Sequence, residues 1–304
     1  MNIAYLYQIF SVMAPVLACA LIGFIWAKKR VPYESEFVSR LVLNVGAPCL
    51  IIASIGQVEL QADVLAEMAL AVVLVAMIMA IVGLAVIRLM KQDVSTYLPS
   101  MVFPNVGNMG LPVCMFAFGE QGLALALSFF MILSLAHFPV GIWLSSRNHP
   151  EAQQGAKAGF KNALQMPILW AIPIAVLLVV QQWQLPLFLA NSVELIAGMT
   201  IPLMLITLGI SLQKLQVKDW QHSLFFSTVR IAGGLSVGWL VCELLQIEGV
   251  ARGVVLLQAS MPVAVFNYLF AERYDCNPAQ VAGMVVLSTF MAFATIPLIL
   301  FFVL

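Results

Sequence analysis

The chain has 304 residues, 62% of them hydrophobic and 9% charged, and its formal net charge is zero. Soluble domains carry roughly 45–50% apolar and about 25% charged residues, so the composition excludes a soluble catalytic domain. The even charge balance also excludes an electrostatic nucleic-acid binder.

Ten apolar runs of about 20 residues fill the chain, at roughly 7–27, 36–56, 64–88, 95–118, 121–144, 162–182, 190–212, 221–245, 250–271 and 278–302. The whole of 1–304 therefore reads as one all-α membrane domain. The stretch before the first run, Met1 to Tyr7, has no Lys or Arg, so that run is expected to remain rather than be cleaved as a signal. In the second run Pro48 follows Asn44-Val-Gly, which marks a helix break. The fourth run holds Phe103-Pro-Asn-Val-Gly-Asn-Met-Gly-Leu-Pro112, and the fifth holds His137. A polar connection at 145–161 separates two halves, 1–144 and 162–304. In the seventh run Pro202 follows Met199-Thr-Ile, a second expected break. The eighth run contains Arg230 and the packing pattern Gly234-x-x-x-Gly238. The ninth contains Gln258-Ala-Ser-Met-Pro262 and, beyond it, Asn267.

Twelve of the fourteen basic residues fall on the odd-numbered connections and their flanks, which places those connections in the cytoplasm and both termini outside. Five runs per half then require the second half to cross the bilayer inverted. Pro112 and Pro262 lie 150 residues apart, near half the chain length. Interrupted segments at matching places in two halves point to a transporter binding site near the midplane. The expected fold is thus ten transmembrane helices in two inverted five-helix repeats, with broken spans 4 and 9 crossing.

A half-helix starting near Pro112 or Pro262 leaves its first N–H groups unsatisfied and carries about half a positive charge. Gly107 and Gly110 permit unusual backbone dihedrals and close approach. Asn105, Asn108, Gln258, Ser260 and Asn267 supply hydrogen-bonding groups, and no Asp or Glu lies between Asp93 and Glu120 or between Glu248 and Glu272. That neutral setting with positive helix ends favours an anion. Arg230 is read either as a direct anion contact or a charge steering anions from the cytoplasm, or as a side chain that snorkels to the cytoplasmic surface or caps carbonyls of a broken helix. His137 likewise is either a proton shuttle or a histidine bonded in place. Thr200, Thr207, Ser211, Ser288 and Thr289 are expected to bond to their own helix backbones. Five cysteines without C-x-x-C spacing give no zinc or disulfide pattern, and no metal or cofactor is expected.

The stretch Asn105-Val-Gly-Asn-Met-Gly-Leu-Pro112, followed by Phe118-Gly-Glu-Gln-Gly, resembles the fourth-span motif of the auxin efflux carrier family. Met261-Pro-Val-Ala with Asn267, Ala271-Glu-Arg-Tyr, Leu287-Ser-Thr289 and Ile296-Pro297 extend the resemblance over the C-terminal half. Asn108 departs from the apolar residue usual in that motif. The short central connection is similar to that of bacterial members rather than plant ones. The resemblance implies an inner-membrane transporter of small organic anions, indole-acetate in plants and dicarboxylates such as malonate or malate in bacteria. The related bile-acid symporters imply a scaffold of spans one, two, six and seven, a body of the other six that slides as an elevator, and a homodimer in membrane lipid. They also leave open coupling to sodium or protons. A sensor that binds the anion without moving it, and a channel, are the other classes open to the sequence.

Overall fold

A computed structural model describes residues 3–57, 62–147, 167–181, 183, 185–215 and 217–303. The central connection at 145–161 lies almost wholly outside them. Helices carry nearly all of the described chain: α1 (Ile3–Lys28), α2 (Ser35–Leu41), α3 (Ala47–Gln57), α4 (Ala62–Leu89), α5 (Val94–Val102) and α6 (Leu111–Ser146) precede the connection. After it come α7 (Pro167–Val180), α8 (Leu187–Lys214), α9 (Trp220–Leu245), α10 (Gly249–Ala259), α11 (Val265–Arg273) and α12 (Pro278–Val303). Among the described residues, seven helical stretches are long and apolar enough to cross a membrane. α10 is apolar but short, and α5, α10 and α11 each belong to an interrupted segment. The protein is an all-helical, multi-pass membrane protein.

Two helix-to-helix junctions are π turns. Val42–Gly46 joins α2 to α3, and Val106–Gly110 leads into α6. At 36 residues α6 would extend about 54 Å, well beyond the roughly 30 Å of hydrocarbon. It bends at Gly119, where φ is 63° and ψ is −152°, a geometry that excludes side-chain-bearing residues. The unusual dihedral expected near Gly107 and Gly110 therefore sits at Gly119 instead; among the described residues the other glycine with positive φ is Gly249. Gly107 and Gly110 serve close approach. A Cβ on Gly107 would press the Phe130 ring at 3.1 Å, and one on Gly110 would overlap the Gln258 amide.

Pro202 corrects another expectation. α8 runs unbroken through it from Leu187 to Lys214. The carbonyl that Pro202 leaves without its helical donor belongs to Gly198, and both residues line a cleft. Pro48, by contrast, follows the π turn at 42–46, so the second run deforms without breaking; Asn44 is exposed there.

α1 and α8 pack backbone to backbone. A Cβ on Gly23 would strike the Ile206 carbonyl, and one on Gly209 would strike the Ala20 carbonyl. Small residues at such a contact let membrane helices approach closely where lipid supplies no hydrophobic drive. Along α8, Thr200, Thr207 and Ser211 return their hydroxyls to the carbonyls of Ile196, Leu203 and Thr207 at 3.0, 2.7 and 2.9 Å. Trp26, Trp143, Trp183 and Trp220 are exposed near helix ends.

Candidate functional site

The two interrupted segments meet. Pro104, between α5 and the π turn at 106–110, forms an isolated antiparallel bridge with Val263, between α10 and α11. The Asn105 N–H donates to the Pro262 carbonyl at 2.7 Å, and the Ala264 N–H donates to the Phe103 carbonyl at 3.3 Å. The partner of the Pro262 break is therefore Pro104, not Pro112. Pro112 lies eight residues beyond Pro104, inside the first turn of α6 and directly after the π turn.

Buried backbone polar groups need partners, and side chains from neighbouring helices serve those at the crossing. Arg230, on α9 and fully buried, donates through Nη1 to the Met101 carbonyl at 2.6 Å, through Nη2 to the Ala259 carbonyl and through Nε to the Met261 carbonyl at 3.4 Å. Of its readings the structure supports the carbonyl cap, and a fully buried guanidinium does not snorkel. Ser288, on α12, accepts from the Val263 N–H at 3.0 Å and donates to the Val285 carbonyl at 3.3 Å. Thr289 bonds its own helix at Val285, 2.7 Å away. Asn267, on α11, donates through Nδ2 to the Phe103 carbonyl at 2.9 Å, and its Oδ1 lies 2.8 Å from His137 Nε2. His137 stacks on Phe103 with ring centroids 4.4 Å apart, so it is bonded in place.

The remaining candidates divide between the crossing and the space beside it. Asn105 is buried and its Nδ2 has no partner among the described residues. Gln258 is fully buried within α10, turned toward Gly110 and the Ala126 carbonyl, 3.4 Å from Nε2; its Oε1 also lacks a partner. Ser260 is buried and donates to the Leu257 carbonyl at 3.0 Å. Asn108 is only partly buried and faces a cavity of about 20 Å³. That cavity also touches Ser39, Val42 and Leu43 of α2 and its π turn, Met204 and Thr207 of α8, and Phe266 in the first turn of α11. Further along the same seam, a cleft of about 310 Å³ opens between α3, α6 and α8 beside Met115, Pro202, Glu120 and Glu194.

The membrane transport protein family matches residues 8–158 and 156–300, which together span nearly the whole chain. The chain belongs to this family, which includes the auxin efflux carriers. An uncharacterized transporter of Methanothermobacter thermautotrophicus is 25% identical over 296 residues, covering 93% of this chain and 94% of the relative. An uncharacterized transporter of Methanocaldococcus jannaschii is 23% identical over 277 residues, covering 87% and 88%. The protein is thus a membrane transporter of the family that the motifs at 105–112 and 261–267 resemble.

Pro104 and the bridging role of Arg230 were the features sequence reasoning missed. Pro104 stands within the quoted 103–112 stretch, but nothing in one segment announces which residue of the other it will face.

Proposed function

We propose that this transporter moves small organic carboxylates by alternating access. The observation that carries this reading is the cavity beside Asn108, which borders the first turns of both later half-helices: the π turn that leads into α6, and α11 through Phe266. Helix N-termini present N–H donors and about half a positive charge each, a ready anion site. The lining adds neutral polar groups, Asn108, Ser39 and Thr207, and no carboxylate. The buried, unpartnered Nδ2 of Asn105 is a further donor at the crossing.

The cavity holds about one water, so a carboxylate enters only when the seam opens. In this reading α1, α2–α3, α7 and α8 form a scaffold. The crossing pairs α5–α6 and α10–α11, with α4, α9, α12 and the rest of α6, slide along it as an elevator. Counted with their interruptions, these are ten crossings in two inverted sets of five, in a homodimer in a bacterial inner membrane with both termini periplasmic. Export of a monoanion is driven by an inside-negative potential, worth about 2.3 kcal/mol per 100 mV. Uptake needs a coupled cation, sodium or a proton, which is the alternative mode.

Reconstitution in liposomes tests the proposal, with labelled malonate, malate and indole-acetate, with and without sodium, a pH step and a set potential. Saturable flux of at least one carboxylate is expected. Binding without flux would indicate a sensor, flux without saturation a channel, and no movement or binding of any of the three would refute the anion reading.

A further inference from the structure

We infer that Arg230 is the fixed countercharge of the crossing and makes it select monoanions, an inference that rests on the carboxylate-transport reading above. The guanidinium of α9 spans two different segments. Met101 lies one residue before the end of α5, while Ala259 ends α10 and Met261 follows it. All three carbonyls accept from Arg230. Each helix C-terminus carries about half a negative charge, so one guanidinium offsets both ends.

Among the described residues, the lining of the small cavity at the positive ends holds no carboxylate. The π turn that leads into α6 and the first turn of α11 each contribute about half a positive charge. No Asp or Glu lies between Asp93 and Glu120 or between Glu248 and Glu272. Among the described residues the three ion pairs are Arg40–Glu36, His222–Asp219 and Arg252–Glu243, so Arg230 has no carboxylate partner. The crossing therefore carries a surplus of about one positive charge, which one negative charge on a ligand balances, whereas a second carboxylate must be desolvated with no positive charge left to pair with it.

The packing holds Arg230 in this role. A Cβ on Gly234, one turn along α9, would overlap the Ala259 carbonyl and come within 2.9 Å of Arg230 Nη2. A Cβ on Gly238 would meet the Ala259 Cβ at 2.9 Å. These two glycines let α9 close onto the end of α10 beside the guanidinium. Its planar fork serves three acceptors at once, whereas lysine is a point charge on a flexible stem. Arg230 is thus a positioning residue that also sets charge preference from behind the crossing, without touching the ligand.

The test uses the full-length protein in liposomes at zero potential, comparing wild type, Arg230→Lys and Arg230→Gln. The probes are indole-acetate, its uncharged amide, and malonate. Wild type is expected to prefer the monocarboxylate over both others. Arg230→Lys should keep that preference with a lower maximal rate. Arg230→Gln should lose about tenfold of the carboxylate-over-amide preference, the order of effect of one unit charge acting through an effective dielectric of about 20. A folded Arg230→Gln protein with the wild-type preference overturns the inference and leaves carboxylate transport standing. If that variant does not fold, a folded Arg230→Lys protein lacking the preference overturns it instead. Wild-type preference for malonate overturns the monoanion assignment, and a wild type that moves no carboxylate overturns both readings.

Discussion

Replacing Asn267 by Ala removes the side chain that ties the two crossing segments to α6. Two buried bonds are lost, 2.9 Å to the Phe103 carbonyl and 2.8 Å to His137 Nε2. The Phe103 carbonyl keeps the Ala264 N–H at 3.3 Å, so it is not orphaned. A buried hydrogen bond is worth about 1 kcal/mol net, and weakening the satisfaction of His137 adds a further fraction of the 1–3 kcal/mol cost of an unmet group, so the variant should lose about 2–3 kcal/mol. Thermal unfolding of the purified protein in one detergent reads the loss as a Tm lower by several degrees. A double-mutant cycle with His137→Phe isolates the pair, with an expected coupling of about 1 kcal/mol. Effects that simply add, within about 0.3–0.5 kcal/mol, would refute the bond as an energetic link. Because both ends of the Asn267 amide contact protein, its loss should lower the maximal transport rate more than it raises KM.

Asn108→Ala, in contrast, should leave Tm unchanged and raise KM about tenfold, since one hydrogen bond to a charged ligand is worth about 1.5–3 kcal/mol; unchanged saturable transport would remove Asn108 from the site. Gly209→Ala places a Cβ against the Ala20 carbonyl and within 2.9 Å of the Phe24 nitrogen, both backbone atoms that cannot rotate away. It should cost about 1–3 kcal/mol by over-packing, read as a lower Tm in detergent. Pro112→Ala returns an N–H to the Asn108 carbonyl and favours α-helical over π register. Slower transport with an equal or higher Tm is expected, and an unchanged rate would deny the turn a role in motion.

Composition and span length alone were enough to read a membrane protein of apolar helices, because burying backbone polar groups in hydrocarbon admits little else. The stretches that hold the interruptions, 103–112 and 258–267, were legible for the same reason, but the first break was expected near Pro112 and falls at Phe103–Asn105. Their pairing was not legible. Pro112 looked like the partner of Pro262 because the two lie 150 residues apart, near half the chain, yet the bridge falls at Pro104 and Pro112 lies beyond it in α6. Pro202 misled in the opposite direction, since whether a proline breaks a membrane helix depends on what can reach the carbonyl it frees. Gly198 and Pro202 both line a cleft. Arg230 could be recognised as costly and purposeful at its depth, but choosing between ligand contact and carbonyl cap required knowing that residues 101, 259 and 261 converge on it.

The two π turns share one cause, and it bears on how the seam opens. Asn44-Val-Gly-Ala-Pro48 and Asn108-Met-Gly-Leu-Pro112 repeat one pattern, and the π turns at 42–46 and 106–110 end on its glycine in each case. Proline at the fifth position removes the donor that the asparagine carbonyl four residues earlier would use, and a wider turn absorbs the mismatch. The glycine then lets a neighbour close in: a Cβ on Gly46 would crowd Thr200 of α8, and one on Gly110 would crowd Gln258 of α10. The first turn belongs to the proposed scaffold and the second to the proposed moving body. Residues of both, Val42 and Leu43 on one side and Asn108 on the other, border the same small cavity. Helical register is therefore loosest on both sides of the place where a ligand would have to part the two surfaces. Beyond it, each turn is anchored by close contact to a different neighbour. Motion concentrated at these turns would let the cavity enlarge while the Arg230, Ser288 and Asn267 bonds keep the crossing itself intact.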